Sequence, residues 1–239
     1  MIETWKIAVE RALMAPECPS VLTTAMLDVL CRAGRADAPS PATFNRWIRA
    51  MAFAGKLSEV IKGVYLNRLG HREVSPAAAA HWIRARSQPS LSWVLEQAHV
   101  TNNFGDTVTC VIAQDPGQAP PSVGERCTSA GTFRFFALPS RLLDDRAGRI
   151  DEIRDLRFEY PRATPEKALL DWIYLGASAR SRLTPPPLDL DLDALDRRRI
   201  ARLVKSMGID RQWSAWKHAY DAYQADEDVR ENSSARMRI

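Results

Sequence analysis

No run of apolar residues in the sequence approaches 18 in length, so it offers no candidate for a helix that spans a bilayer. The first ten residues, MIETWKIAVE, alternate charged and apolar side chains and lack the basic stretch followed by an apolar one that export requires. These absences predict a cytoplasmic protein with no membrane partner. Cysteine is scarce: Cys18, Cys31, Cys110 and Cys127 are separated by 13, 79 and 17 positions and include no C-x-x-C pair. The histidines His71, His81, His99 and His218 show no H-x-x-x-H or H-E-x-x-H spacing, which would set two imidazoles on one helical face. Neither a metal nor a cofactor is expected, and the thiols are expected to be free and buried.

What is present is material for a core. Of 239 residues, 46% are apolar and 8% aromatic, enough for one large domain or two smaller ones. The net charge is only +4, but it is unevenly spread. Residues 41–86 hold eight basic side chains against two acidic ones, and elsewhere the two signs nearly balance. A phosphate-binding surface needs such a local excess, because each neutralised phosphate releases counterions. A solvated basic face has the same composition, so the placement of the charges decides between the two.

Residues 4–15 carry Trp5, Ala8, Val9 and Ala12 at helical spacing, with a stop near Pro16 and Pro19. Thr23 suits the N-cap of a second helix, in which Met26, Leu27 and Leu30 form the apolar stripe and Gly34 takes the left-handed end position. Ser40-Pro41 opens a third as N-cap and first residue. That helix is predicted to bury Phe44, Ile48 and Met51 with Trp47 beside them, leaving Asn45, Arg46 and Arg49 on the other side. Arginine and asparagine so placed can pair bidentately with guanine or adenine edges in a major groove. Gly55 ends the helix, and LSEVI and VYLNRL, joined by Lys62-Gly63, read as a hairpin with Arg68 and Arg72 nearby. The pattern predicts a winged helix-turn-helix over residues 1–72, the hairpin lying along the phosphate backbone. The competing reading is a small helical bundle whose arginines are merely solvated.

Residues 73–183 are predicted to form an α+β domain. Ser75-Pro76 starts a linking helix, PAAAAHWIRARS, and LSWVLEQAHV a second that buries Leu91, Val94, Leu95 and Ala98. Strands follow at TVTCVIAQ, TFRFFALP and LRFEYP, with DPGQAPPSVGE as a loop. Thr164-Pro165 then opens the helix through ALLDWIYLG. The triple proline 185–187 and the acidic DLDLDALD precede a helical extension over 184–239, with Leu192, Leu195, Leu203, Val204 and Met207 at helical spacing and Gly208 as its stop. Trp213, Trp216, Tyr220 and Tyr223 form an aromatic row that either packs on the protein's own core or docks a partner. The tail ENSSARMRI is predicted to be disordered.

Several of these segments, in this order, resemble AbiEi-type antitoxins of type IV toxin–antitoxin systems. GKLSEVIKGVYLNRL is similar to the wing of that family's N-terminal winged-helix domain, PSLSWVLEQAHVT to the helix after its linker, and TFRFFALP to its central strand. ATPEKALLDWIYL resembles its most recognisable motif. The resemblance covers roughly residues 40–176. It implies an autorepressor that binds inverted repeats in double-stranded DNA of its own promoter and counters a nucleotidyltransferase-like toxin without a stable complex. Carried over, the DNA contacts would be Thr43, Asn45, Arg46 and Arg49 on the helix, with Lys56, Lys62 and Arg68 on or near the wing. Thr164, Glu166, Lys167 and Asp171 match the antitoxin motif. For the last three, capping and an ion pair on the first helical turn is the competing structural reading.

No catalytic residue is expected. A nuclease would need carboxylates converging on Mg²⁺, for which Asp151, Asp155 and Glu159 are the tempting set, and no E-x-K follows a strand aspartate. A one-component regulator sensing a small ligand within residues 87–182 is the other alternative.

Overall fold

The computed structural model describes residues 5–33, 38–70, 74–102 and 105–236, with side chains as far as residue 226. Gly34, His71 and Arg72 lie outside the described residues. The chain is α+β and divides into two compact units: Met1–Ala85 with Glu125–Phe133, and Arg86–Gly124 with Arg134–Ile239. The boundary thus falls after residue 85, whereas the sequence places it after 72.

The first unit begins with α1 (Trp5–Met14), which buries Trp5, Val9 and Leu13 on one stripe. The small Ala8 and Ala12 flank that stripe half-exposed. β1 (Val21–Thr23) leads directly into α2 (Thr24–Arg32), where the Thr23 hydroxyl accepts the Met26 N–H at 3.1 Å. α3 (Pro41–Phe53) starts with Ser40 accepting the Thr43 N–H at 3.4 Å and Pro41 in the first turn, where a missing N–H costs nothing. Phe44, Trp47, Ile48 and Met51 face the core, and Trp47 meets Trp5 edge-on at 5.5 Å.

β2 (Leu57–Ile61) and β3 (Val64–Asn67) complete an antiparallel sheet of order β1-β3-β2. The central β3 is buried throughout, so the side-chain amide of Asn67 must be satisfied inside. Its amide donates to the Leu13 carbonyl at 2.7 Å and its oxygen accepts from the Leu69 N–H at 3.1 Å, tying the end of α1 to the sheet. A 3-10 turn (Pro76–Ala79) and the single turn α4 (Ala80–Ile83) bury four consecutive alanines. The longer helix predicted through residue 87 does not form: Arg84 is extended, Arg86 is left-handed at φ 62°, and the chain passes into a strand. Gln88 precedes a proline, a position that disfavours helix.

In the second unit β4 (Ser87–Pro89), α5 (Leu91–Gln97), β5 (Thr107–Gln114), β6 (Gly124–Thr128) and β7 (Gly131–Pro139) give a sheet of order β4-β5-β7-β6. The tip of the β6–β7 hairpin belongs to the first unit. β6 overlaps the predicted loop only at Gly124 and Glu125, and the sequence assigns no element to its other residues because, at the sheet edge, it is largely exposed and carries no apolar alternation. LRFEYP is not a strand. It turns, with one isolated bridge, Arg154 to Ala163, near it. Asp155 accepts the Arg157 N–H at 3.2 Å, and Arg162 lies over the Phe158 ring at 4.1 Å, so local contacts displace ladder pairing.

α6 (Ile150–Ile153) is a single turn, and α7 (Pro165–Gly176), α8 (Arg197–Met207) and α9 (Asp210–Arg236) close the unit. Leu95, Leu138, Leu169, Leu203 and Trp216 share one hydrophobic core, so α8 and the first half of α9 are packed into this unit and are not a separate extension. The aromatic row on α9 faces inward and secures an extended strap. Prolines 185–187 lack N–H groups, and the strap's carbonyls are met by side chains instead. Trp172 donates to Thr184, Trp216 to Pro186, Gln224 to Leu188 and Tyr220 to Leu190, every second carbonyl in turn, at 2.8–3.1 Å. Residues 231–236, predicted to be disordered, continue α9.

Candidate nucleic-acid interface

The outer face of α3 follows from its inner one. With Phe44, Trp47, Ile48 and Met51 packed inward, a period of 3.6 leaves Thr43, Asn45, Arg46 and Arg49 exposed. Thr43 shares a hydrogen bond with Ser40 at 3.0 Å. Arg46 and Arg49 make no ion pair among the described residues, so both guanidinium forks are open to solvent and to a ligand. Phe53, 97% exposed, extends this face by one turn beyond Arg49. Sequence reasoning passed over it, although its i+4 spacing from Arg49 was visible.

Beside α3, the β2–β3 hairpin turns through Lys62 and Gly63, the latter at φ 81°. This tip is fastened: the Gly63 carbonyl accepts the Thr24 N–H at 2.9 Å and the Thr24 hydroxyl at 3.3 Å. A Cβ at Gly63 would come within 3.1 Å of that hydroxyl, so the residue is fixed both by its φ and by the approach to α2. Lys62 stands exposed on a short, anchored turn. On the other strand edge, Ser129 of the β6–β7 tip donates to the Glu59 carbonyl.

Two of the residues assigned to DNA contact by resemblance have work inside the unit. Lys56 pairs with Glu10 of α1 at 2.8 Å. Arg68 donates to the Val74 carbonyl at 2.6 Å and to Ser58 at 3.4 Å, bracing the segment after β3. The face brought together by the fold is therefore Thr43, Asn45, Arg46, Arg49 and Lys62.

The four residues assigned to an antitoxin motif by resemblance, Thr164, Glu166, Lys167 and Asp171, are all buried in the second unit. Thr164 caps α7 by accepting the Lys167 N–H at 3.3 Å and donates to the Glu152 carbonyl at 2.6 Å. Glu166 reaches α8, accepting the Asp196 N–H at 3.1 Å and pairing with Arg199 at 3.2 Å. Lys167 and Asp171, one turn apart and fully enclosed, form an ion pair, and the Ser90 hydroxyl donates to the second Asp171 oxygen at 2.8 Å. Burial pushes the Asp171 carboxyl upward, opposed by Lys167 and Ser90. Leu91, immediately after Ser90, is held left-handed at φ 60°, which places Ser90 under α7 at the cost of backbone strain. The network joins the start of α5 to α7 and has no exposed member.

The remaining chemistry is dispersed. Asp151 pairs with Arg149 at 3.2 Å and Asp155 with Arg157 at 2.7 Å, and among the described residues no three His, Cys, Asp or Glu side chains converge as a metal site. Cys31 and Cys110 are buried and Cys18 is half-buried, but Cys127 is exposed, contrary to expectation, because it lies on the edge strand β6. No helix among the described residues is long and apolar enough to cross a membrane. No protein-family model matches the chain, and no curated protein matches it.

Proposed function

We propose that the first unit is a winged helix-turn-helix that binds double-stranded DNA, with α3 as the recognition helix and the β2–β3 hairpin as a short wing. The observation that carries this reading is the outer face of α3, where Asn45, Arg46 and Arg49 are exposed and the two arginines have no carboxylate partner among the described residues. The element order α1-β1-α2-α3-β2-β3, with an antiparallel sheet of order β1-β3-β2, agrees with it. A 13-residue helix is about 20 Å long, and a B-form major groove about 12 Å wide admits one. Lys62 at the hairpin turn would then contact phosphate and fix register.

The protein is further proposed to be the autorepressor and antitoxin of a type IV toxin–antitoxin system acting against a nucleotidyltransferase-like toxin. The resemblance of residues 164–171 supports this. Because Thr164, Glu166, Lys167 and Asp171 are interior, the motif serves by building the second unit, and toxin neutralisation has to act through surface residues outside it.

The test is a fluorescence-anisotropy titration with DNA from upstream of the protein's own gene. Arg46→Ala and Arg49→Ala should each weaken binding by about 1–3 kcal/mol, roughly 5- to 150-fold, if they read bases. Lys62→Ala should weaken operator and unrelated DNA alike and flatten the salt dependence. All three side chains are exposed, so thermal stability should be unchanged. Equal affinity of wild type and the Arg46→Ala/Arg49→Ala double variant would refute the assignment.

A further inference from the structure

The second unit contains a groove of about 680 Å³ that the DNA-binding reading does not use. One wall is β7, with Arg134 and Phe136; the other is the end of α7 and the loop after it, with Tyr174, Arg180 and Arg182; Gln114 lies at one end. Three arginines line it and no acidic residue does. Arg134, Arg180 and Arg182 have no ion pair among the described residues, whereas the exposed Arg146, Arg149 and Arg157 are each paired with a carboxylate two positions away, and several other arginines of the unit, but not all, are paired too. The Arg134 guanidinium lies over the Phe136 ring at 5.2 Å, which orients its fork without neutralising it.

The loop bearing the other two arginines is rigidly made. Ser178 N–H donates to the Leu175 carbonyl at 2.9 Å and Ser181 N–H to the Ser178 carbonyl at 3.1 Å. The Ser181 hydroxyl donates back to Leu175 and accepts the Leu183 N–H at 3.2 Å. Arg182 is held at φ 52°, a conformation that favours glycine. Arg182 thus carries its charge beside two other unpaired arginines at a backbone position that glycine would occupy with less strain.

We propose that this groove binds a nucleoside phosphate. Ligand pockets run about 300–1,000 Å³, so the space suits a nucleotide-sized molecule. Three forked, uncompensated guanidiniums match the charge of a di- or triphosphate, which they can engage bidentately. Tyr174, beside the Arg134–Phe136 stack, offers a planar base an aromatic neighbour. A bound nucleotide would give the protein an effector site in the same unit as the buried motif. The inference is independent of the DNA-binding reading.

Isothermal titration calorimetry of the full-length protein with ATP, ADP, AMP and inorganic pyrophosphate tests it. Affinity should fall in the order ATP, ADP, AMP, and pyrophosphate should bind at least tenfold more weakly than ADP. Arg180→Ala/Arg182→Ala should lose at least tenfold in ADP affinity with the far-UV circular dichroism unchanged, whereas Arg46→Ala/Arg49→Ala should bind ADP as the wild type does. Arg182→Gly should raise the thermal midpoint while weakening ADP, the signature of strain retained for a ligand. No binding at millimolar nucleotide, undiminished affinity in the Arg180→Ala/Arg182→Ala variant, or pyrophosphate binding as tightly as ADP would each overturn the proposal. So would a single-stranded oligonucleotide that binds more tightly than ATP and is lost in that same variant, since the groove would then be a strand-binding channel.

Discussion

Replacing Lys167 with methionine would leave the Asp171 carboxylate fully enclosed with one donor, the Ser90 hydroxyl at 2.8 Å. Removing one partner of a buried ion pair costs about 3–5 kcal/mol, because the surviving charge keeps its desolvation penalty and loses its compensation. Against a typical domain stability of about 5–15 kcal/mol, that is a large share. The expected result at pH 7 is a fall in the urea midpoint corresponding to about 3–5 kcal/mol with the slope unchanged, followed by tryptophan fluorescence. The pH dependence has a definite sign. Burial already raises the Asp171 carboxyl, and without Lys167 a main opposing influence is gone. A raised carboxyl contributes stability that is present below its unfolded value near 4 and lost as pH rises through its folded value, so the deficit of Lys167→Met should shrink on acidification. The triple variant Ser90→Ala/Lys167→Met/Asp171→Leu removes every polar member together and should recover most of the loss. A Lys167→Met deficit below about 0.5 kcal/mol, or one that deepens toward low pH, would refute the account of the network as an internal brace.

Two further outcomes test other parts of the second unit. A Cβ at Gly176 would lie 2.6 Å from Pro185 Cα and 2.9 Å from Pro185 N, backbone atoms that cannot swing aside. Gly176→Ala should therefore cost about 1–3 kcal/mol, read as a lowered thermal midpoint, and an unchanged midpoint would mean the strap is not seated against α7. Just after β5, hydrogen bonds from Arg86, which lies just before β4, and then from Ser140 hold the Asp115 carboxyl down to about 2. This contribution is present above the unfolded value and is lost as pH falls through about 2, so Asp115→Asn should flatten the acid limb of the stability profile. An NMR titration of Asp115 with a midpoint near 4 would count against the pair.

How much of this was legible beforehand depends on whether a signal is local. The N-caps Thr23, Ser40 and Thr164, the prolines at 41 and 165 and the left-handed Gly208 all act within one helical turn, so sequence alone located those helix ends. The apolar period in α3 likewise gave both its buried face and its exposed one. β6 and LRFEYP were misjudged for one reason. Strand formation depends on a partner, and an edge segment without alternation can pair while an apolar one held by its own turn contacts does not. The aromatic row of α9 was readable as a row, but the strap carbonyls of Pro186 and Leu190 that Trp216 and Tyr220 satisfy come from 30 residues away.

The sequence by itself determined the α+β class, the exposed basic face Asn45-Arg46-Arg49 and the presence of a capped, charged turn at Thr164–Asp171, since each is written in short-range spacing. Only the tertiary structure decided what the charges do. Lys56 and Arg68 found partners within the first unit, and Lys167 and Asp171 found each other and Ser90 inside the second. Arg134, Arg180 and Arg182, up to 48 positions apart, converge on one groove without a carboxylate among them. Whether a charge is a brace or a binding group depends on which distant side chain comes within hydrogen-bonding reach, and that is set by packing.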